Sequence, residues 1–501
     1  MRTMKKIFLM AALALVTAAS CSRDDDSGLT TELPGLPTEQ PVAAAGVPFS
    51  ATISVDNSAV TRALEENGTT IAATWADGEQ VALVYTVAGT AYNTTATVAK
   101  RSDGTATISA MLQSGVATGD DVTIIYPATA ADGTTGQVKD DVLAAQNGTL
   151  TGNDGSIAKL FDVRKGTGKL KVSDGSATVN NGTAGSLVTL TNQNAIFKLT
   201  LKNIDATADV QAQKVEVYDE TGDLLTTVTP ATGYDKVMYV ALPPAATALK
   251  FLVTGTDGTK YFNQAPGLSL SALFYRSTVK LAQVGDVFLS TGKCAKAGTS
   301  GAVAMIAYLG DGDENTSYNC GLAIALEDAN SGYSCYWSDN STVIALSSYT
   351  STTMTDHKNF LNGIDATNFL ILLALSTGDT YDAALYGKTT PAANKPQGTS
   401  DWFLPSSGQW LKFFEAAGID VAQWNSWTFA PGGTSDITKV QNLLEAANSR
   451  SKFDENSFYW SSSEFNAEYA VGPLFLSSLG LEFSYQLKNV LPYCVRPFIA
   501  F

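Results

Sequence analysis

Cys21 is the residue best placed to do chemistry. Lys5 and Lys6 stand upstream of it, followed by an apolar run from Ile7 to Ala19, and Ala18, Ala19 and Ser20 lie against the thiol. A charged start, an apolar stretch too short for a stable bilayer span and small residues at a cleavage point form a lipoprotein signal. The thiol would become a thioether to diacylglycerol, and several acyl chains at about 0.8 kcal/mol per buried CH₂ make a durable anchor. The expectation is a signal peptide over residues 1–20 and lipidation at Cys21. The alternative is an ordinary signal peptide with an incidental cysteine.

The other four cysteines, Cys294, Cys320, Cys335 and Cys494, fall in the last two-fifths or so of the chain. In an exported protein a clustered even number suggests two disulfides, with free buried thiols as the alternative. Zinc is disfavoured: no C-x-x-C pair occurs and His357 is the single histidine. One histidine also limits Ser-His-Asp and Cys-His schemes, and its setting, Thr355-Asp356-His357-Lys358, reads as surface. Asp311-Gly312-Asp313-Glu314-Asn315 has calcium-loop spacing, but Leu322 stands where the bidentate acid belongs, so an acidic surface turn is expected. No metal, no cofactor and no enzymatic activity are expected. For a sugar ligand, aromatic platforms beside amides are the pattern to seek. Trp424, Asn425 and Trp427 fit it best and Trp337 second, with burial of the same tryptophans in the core as the alternative.

Charge narrows the partners. Thirty-two Lys and Arg against 48 Asp and Glu give a net charge of −16, which argues against nucleic acid and against anionic lipid surfaces.

The elements that must position these residues fall into three blocks. Residues 21–45 are acidic and rich in Pro and Thr, as a linker is. From Val47 onward short period-2 segments appear: Phe49, Ala51, Ile53 and Val55 alternate with polar neighbours, and Val81–Tyr85 and Val122–Tyr126 follow between Gly and Asp turns. Gly166-Thr167-Gly168 reads as a turn. A second set follows at Ala195–Leu201, Lys214–Tyr218 and Leu249–Val253. After Gly285 the composition changes: six of the seven tryptophans lie there, and helical periodicity appears at Ser406–Ala417, Ile437–Ala447 and near Asn368–Ala374. The fold class expected is multidomain: two antiparallel β-sandwiches over 46–160 and 161–284, then an α+β domain over 285–501. Arg496, in the apolar C-terminal strand, needs a carboxylate, and Glu464 is the expected partner.

Two resemblances add to this. Phe49–Val55, Thr61-Arg62-Ala63, Trp75-Ala76-Asp77-Gly78-Glu79, Tyr126-Pro127 and Leu190–Leu199, in that order behind a lipobox, resemble the fimbrillin (Mfa-like) pilins of Bacteroides-type bacteria. Asp24-Asp25-Asp26 behind Cys21 resembles the signal that sends lipoproteins of such bacteria to the outer face of the outer membrane. Asp401–Trp410, Tyr459–Glu464 and Val495–Phe498 resemble a lectin-like domain of Bacteroides and Fibrobacter surface proteins, of the Fibrobacter major paralogous or formylglycine-generating-like type. The resemblances imply two pilin-like sandwiches and a C-type-lectin-like domain. They imply proteolytic processing at Arg62, strand exchange with other pilin subunits, and glycan or protein ligands on host or bacterial surfaces. An accessory or tip pilin of a surface fimbrium is the first expectation. A non-polymerising glycan-binding lipoprotein is the second.

Overall fold

The structure, a computed structural model, describes residues 46–55, 65–67, 70–72, 74–138, 145–152, 155–182, 185–244, 246–315, 317–339, 349–389, 395–427, 430–447 and 452–501. Cys21, Arg62 and the linker lie outside them.

The first block is a sheet that closes on itself. In chain order its strands are β1 (Val47–Val55), a side hairpin β2 (Glu65–Asn67) and β3 (Thr70–Ala72), β4 (Gln80–Val87), β5 (Thr90–Lys100), β6 (Ala106–Leu112) and β7 (Asp121–Tyr126). A short β8 (Ala145–Gln146) leaves this sheet, and the chain returns to it with β9 (Arg164–Ser173), β10 (Ser176–Asn180) and β11 (Leu187–Asn192). The order is β10-β1-β11-β9-β7-β4-β5-β6, and β1 also pairs antiparallel with β6, which closes the ring. Alternation delivers the core: Phe49, Ala51 and Ile53 meet Val81, Leu83, Ile108, Val122, Ile124, Leu170 and Leu190. The Trp75–Glu79 motif is a pinned turn. Trp75 packs edge-on against Tyr126 at 5.3 Å, Glu79 accepts from the Tyr126 hydroxyl at 3.2 Å, and Asp77 accepts from Lys100 N–H at 2.7 Å.

The boundary expected at residue 160 is corrected by this pairing, because strands within 164–192 belong to the first sheet. Gly166 and Gly168 hid β9. They are strand residues, not a turn: a Cβ at Gly166 would lie 2.7 Å from Leu190 Cδ2, and one at Gly168 would lie 2.5 Å from Val179 Cγ1. Close packing inside the ring removes the side chains that would have shown a period of two. Conversely, Leu150, Ile157, Ala158 and Phe161 pack on Ile196 and Tyr239 of the next block.

That second block is a two-sheet sandwich. Its strands are β12 (Ala195–Asn203), β13 (Ala212–Tyr218), β14 (Leu224–Val228), β15 (Val237–Leu242), β16 (Leu249–Gly255), β17 (Lys260–Ala265) and β18 (Phe274–Leu281). The sheets run β15-β12-β18 and β17-β16-β13-β14-β8. The pairing is mixed rather than purely antiparallel, since β12–β18 and β14–β8 are parallel. Gln146, 3% exposed, seals the open side. Its amide bonds Thr226 Oγ1 at 3.0 Å and both the carbonyl and the N–H of Ala241 at 2.8 Å.

The third block combines sheets and helices. Strands β19 (Val287–Leu289), β20 (Cys294–Ala295), β21 (Ala302–Leu309), β22 (Gly321–Ala325) and the C-terminal β26 (Phe498–Ala500) form one sheet. β23 (Ser457–Phe458), β24 (Tyr469–Leu476) and β25 (Gly480–Leu487) form another. The helices are α1 (Met354–His357), α2 (Gly363–Thr377), α3 (Asp382–Thr389), α4 (Ser407–Ala416) and α5 (Thr434–Ala446). α4 begins where its sequence dictates. Gln409 reaches back to accept from Ser406 N–H at 2.9 Å, and Gly418 at φ +83° follows its last turn. Trp410, Phe413 and Phe414 enter the core from this helix. Among the described residues no helix is long and apolar enough to cross a membrane.

Candidate functional site

The first candidate is the seat of β1. Seven residues of this strand, Val47–Ile53, register antiparallel with β6, and Thr52–Val55 register parallel with Leu187–Leu190 of β11. Phe49 is 2% exposed, Ala51 3% and Ile53 0%. Burial of the two large ones, Phe49 and Ile53, is worth roughly 3–6 kcal/mol at 1.5–3 kcal/mol each. Removing β1 would break the ring at β6 and β11, leaving an apolar channel between two unpaired edges. Such an arrangement invites an added strand.

The second candidate is the C-terminal block, and here several expectations change. Trp424 is 2% exposed and packs against Phe414 and Phe483, while Trp337, also 2% exposed, donates Nε1–H to Ser461 O at 2.8 Å. Trp427 is half-buried among His357, Phe465, Phe483 and Tyr485, and its Nε1–H bonds Thr352 O at 3.1 Å. Only Asn425 is exposed, and its Oδ1 accepts from Lys358 Nζ at 2.9 Å. Trp424 and Trp337 plug the core and Trp427 packs against it, since the indole is the largest apolar surface a side chain can bury. They do not form the open platform expected for a ligand.

Disulfides are not formed. All four cysteines are free thiols. Cys294 on β20 and Cys320, just before β22, are separated by β19 and β21, about 14 Å at the usual strand spacing. That is twice the Cα separation a disulfide tolerates. Cys335 bridges Tyr493, so the next residue, Cys494, points to the other face. Cys335 packs with Trp337 and Trp460, whereas Cys494 belongs to the core around Trp410. Burial pushes the thiols of Cys320, Cys335 and Cys494 up to about 12 and that of Cys294 higher still.

Arg496 does find a carboxylate, but not Glu464. Its Nε lies 2.5 Å from Asp328 Oδ1, its Nη1 donates to Ala325 O at 3.1 Å, and Tyr459 donates to Asp328 Oδ2 at 3.2 Å. Glu464 pairs instead with buried Lys488, whose ammonium sits 4.7 Å from the Trp337 ring centroid. Asp328, Asp454 and Cys494 bring possible ligand atoms within 4.8 Å of one another. Asp328 is committed to Arg496 and Tyr459, and Cys494 stays a thiol near neutral pH, so these groups suit an internal network better than a cation.

His357 is not on the surface: it is 0% exposed. A backbone carbonyl, Ser351 O at 2.7 Å, fixes the tautomer with the proton on Nε2. Nδ1 then accepts from the Ser407 hydroxyl at 2.8 Å. Burial lowers its pKa to about 4. This serine–histidine pair has the geometry of a nucleophile and base, yet Ser407 is also 0% exposed, and Nε2 faces a carbonyl rather than an acid. Asp313 is buried too. It accepts from Gln409 Nε2 at 2.7 Å and Asn315 N–H at 2.9 Å, and burial pushes its carboxyl up to about 6. The polar strings around His357 and Asp313 hid both, since only tertiary packing covers them.

No family model matches the chain, and no curated protein does. Solved structures that the chain matches include a fimbrial protein from Bacteroides ovatus, 14% identical, covering 91% of this chain and 99% of that one at a TM-score of 0.34. A tip fimbrial protein from Porphyromonas gingivalis is 10% identical over 47% of this chain and 94% of its own, at 0.24. A shaft pilin from Lactobacillus rhamnosus is 10% identical over 48% and 98%, at 0.21.

Proposed function

We propose that the chain is a non-catalytic fimbrial subunit, lipid-anchored at Cys21 on the outer face of the outer membrane. The C-terminal block gives it an accessory or tip position and the adhesive role. The observation that carries this reading is the seat of β1. This alternating strand closes the first ring from both sides, and Arg62 follows it by seven residues in the mostly small and polar stretch Ser58-Ala59-Val60-Thr61. Cleavage after Arg62 would free β1, and a strand from a neighbouring subunit would replace it. Strand exchange needs no cofactor and no metal. An arginine-specific protease applied to the purified chain tests the idea. Nicked chains should convert from monomers to a ladder of oligomers on a native gel. A nicked chain that keeps β1 and stays monomeric contradicts it.

A further inference from the structure

With the tryptophans buried, the surface that could grip a ligand lies elsewhere. An open pocket of about 280 Å³ sits where the second sandwich meets the C-terminal block. Thr259, just before β17, Lys260 at its start, Gln283 and Val284 of the connection, and Tyr308 and Leu309 of β21 line it. Leu309, 3% exposed, and half-buried Val284 give it an apolar floor. The Tyr308 ring is half-buried, with Lys412 Nζ 5.2 Å from its centroid. Thr259 is held in place, donating N–H and Oγ1 to the two Asp257 oxygens at 2.9 Å each. Gly310 leaves room for the lysine: a Cβ there would lie 2.5 Å from Lys260 Nζ. Among the described residues no carboxylate lines the pocket, although the chain carries 48 acidic residues against 32 basic ones. Glu415, nearby on α4, is paired with Lys412 at 3.3 Å.

Pockets at domain junctions with an apolar floor and a few converging polar groups are the usual seats of small ligands. This one combines an aromatic ring, an amide, a hydroxyl and an ammonium, and its size suits one sugar ring. We propose that it binds the carboxylated terminal sugar of a glycan, an extension that rests on the adhesive role assigned above. The sugar's apolar face lies on Tyr308, its carboxylate meets Lys260, and its hydroxyls bond Gln283 and Thr259.

The test titrates the full chain with sialyllactose, digalacturonate and neutral lactose, followed by saturation-transfer NMR. At least one acidic sugar should bind, lactose about tenfold more weakly, and Lys260→Gln and Tyr308→Leu should each weaken the acidic sugar about tenfold while the fold is retained. Equal binding of acidic and neutral sugars, no saturable binding of either acidic sugar, or unchanged binding by folded Lys260→Gln overturns the proposal. Oligomer ladders are scored on the same samples. A chain that polymerises but ignores acidic sugars loses only this site, and one that binds them but never polymerises loses only the filament role.

Discussion

Acidification should act on His357 in a way the structure quantifies. The imidazole is enclosed and neutral, and its pKa is about 4 rather than the usual 6.5. Below pH 6.5 the unfolded chain takes up a proton that the folded chain refuses until about pH 4. Stability from this group is therefore complete above pH 6.5 and lost as pH falls toward 4. At about 1.36 kcal/mol per pH unit, roughly 2–3 kcal/mol disappears between pH 7 and 4.5. Asp313 works the other way: with its carboxyl raised to about 6, the folded chain gains stability as pH falls from about 6 toward its ordinary value of 3.8. The two nearly cancel in the native protein, so the variant His357→Gln is needed. Its amide can donate to Ser351 O and accept from Ser407, but it loses the ring contacts with Phe360 and Trp427 at 4.9 and 5.2 Å. It should be about 1–2 kcal/mol less stable than the native chain at pH 7. The gap should vanish or reverse at pH 4.5. Urea unfolding followed by tryptophan emission reports the right block, since six of the seven tryptophans lie in it. A stability gap that is the same at both pH values refutes the buried, neutral imidazole.

Other consequences are equally direct. Arg496→Met should cost about 3–5 kcal/mol by stranding Asp328, and adding Asp328→Leu should recover most of it in the same unfolding assay. Trp424→Ala should lower stability by about 3–5 kcal/mol while leaving acidic-sugar binding unchanged, because the indole is a core filler. Intact-mass analysis after alkylation in denaturant without reductant should label Cys294, Cys320, Cys335 and Cys494, and native protein should label slowly. Cys21→Ala should release the protein from the membrane fraction, and wild-type chain recovered there should carry the added acyl mass.

What was legible in the sequence is what local pattern dictates. The alternation of Phe49, Ala51 and Ile53 announced β1, and the spacing of Trp410, Phe413 and Phe414 ahead of Gly418 announced α4 with its stop. What was not legible depends on partners distant in sequence. Gly166 and Gly168 carry no side chain to alternate, so β9 read as a turn and the first boundary fell too early. α3 was missed because its Ala, Gly and Thr give only a weak apolar stripe. Arg496 advertises a need for a carboxylate, and Glu464 is the partner expected from sequence, but Lys488 claims Glu464 and Asp328, distant in sequence, pairs with Arg496. Four clustered cysteines suggest bridges, but strand order separates Cys294 from Cys320, and Cys335 and Cys494 enter different parts of the core. The tryptophans drew attention as a ligand platform for the same reason that they fill the core: they are the largest apolar surfaces available.

The central claim is that β1 leaves after cleavage at Arg62 and is replaced by a neighbour's strand. N-terminal sequencing of this protein recovered from surface filaments tests it most directly, with an Arg62→Ala strain alongside. The account predicts a mature chain that begins at Ala63 in the filaments and an Arg62→Ala protein that reaches the surface but does not assemble. A filament subunit that still begins at lipidated Cys21, with the variant assembling normally, contradicts it.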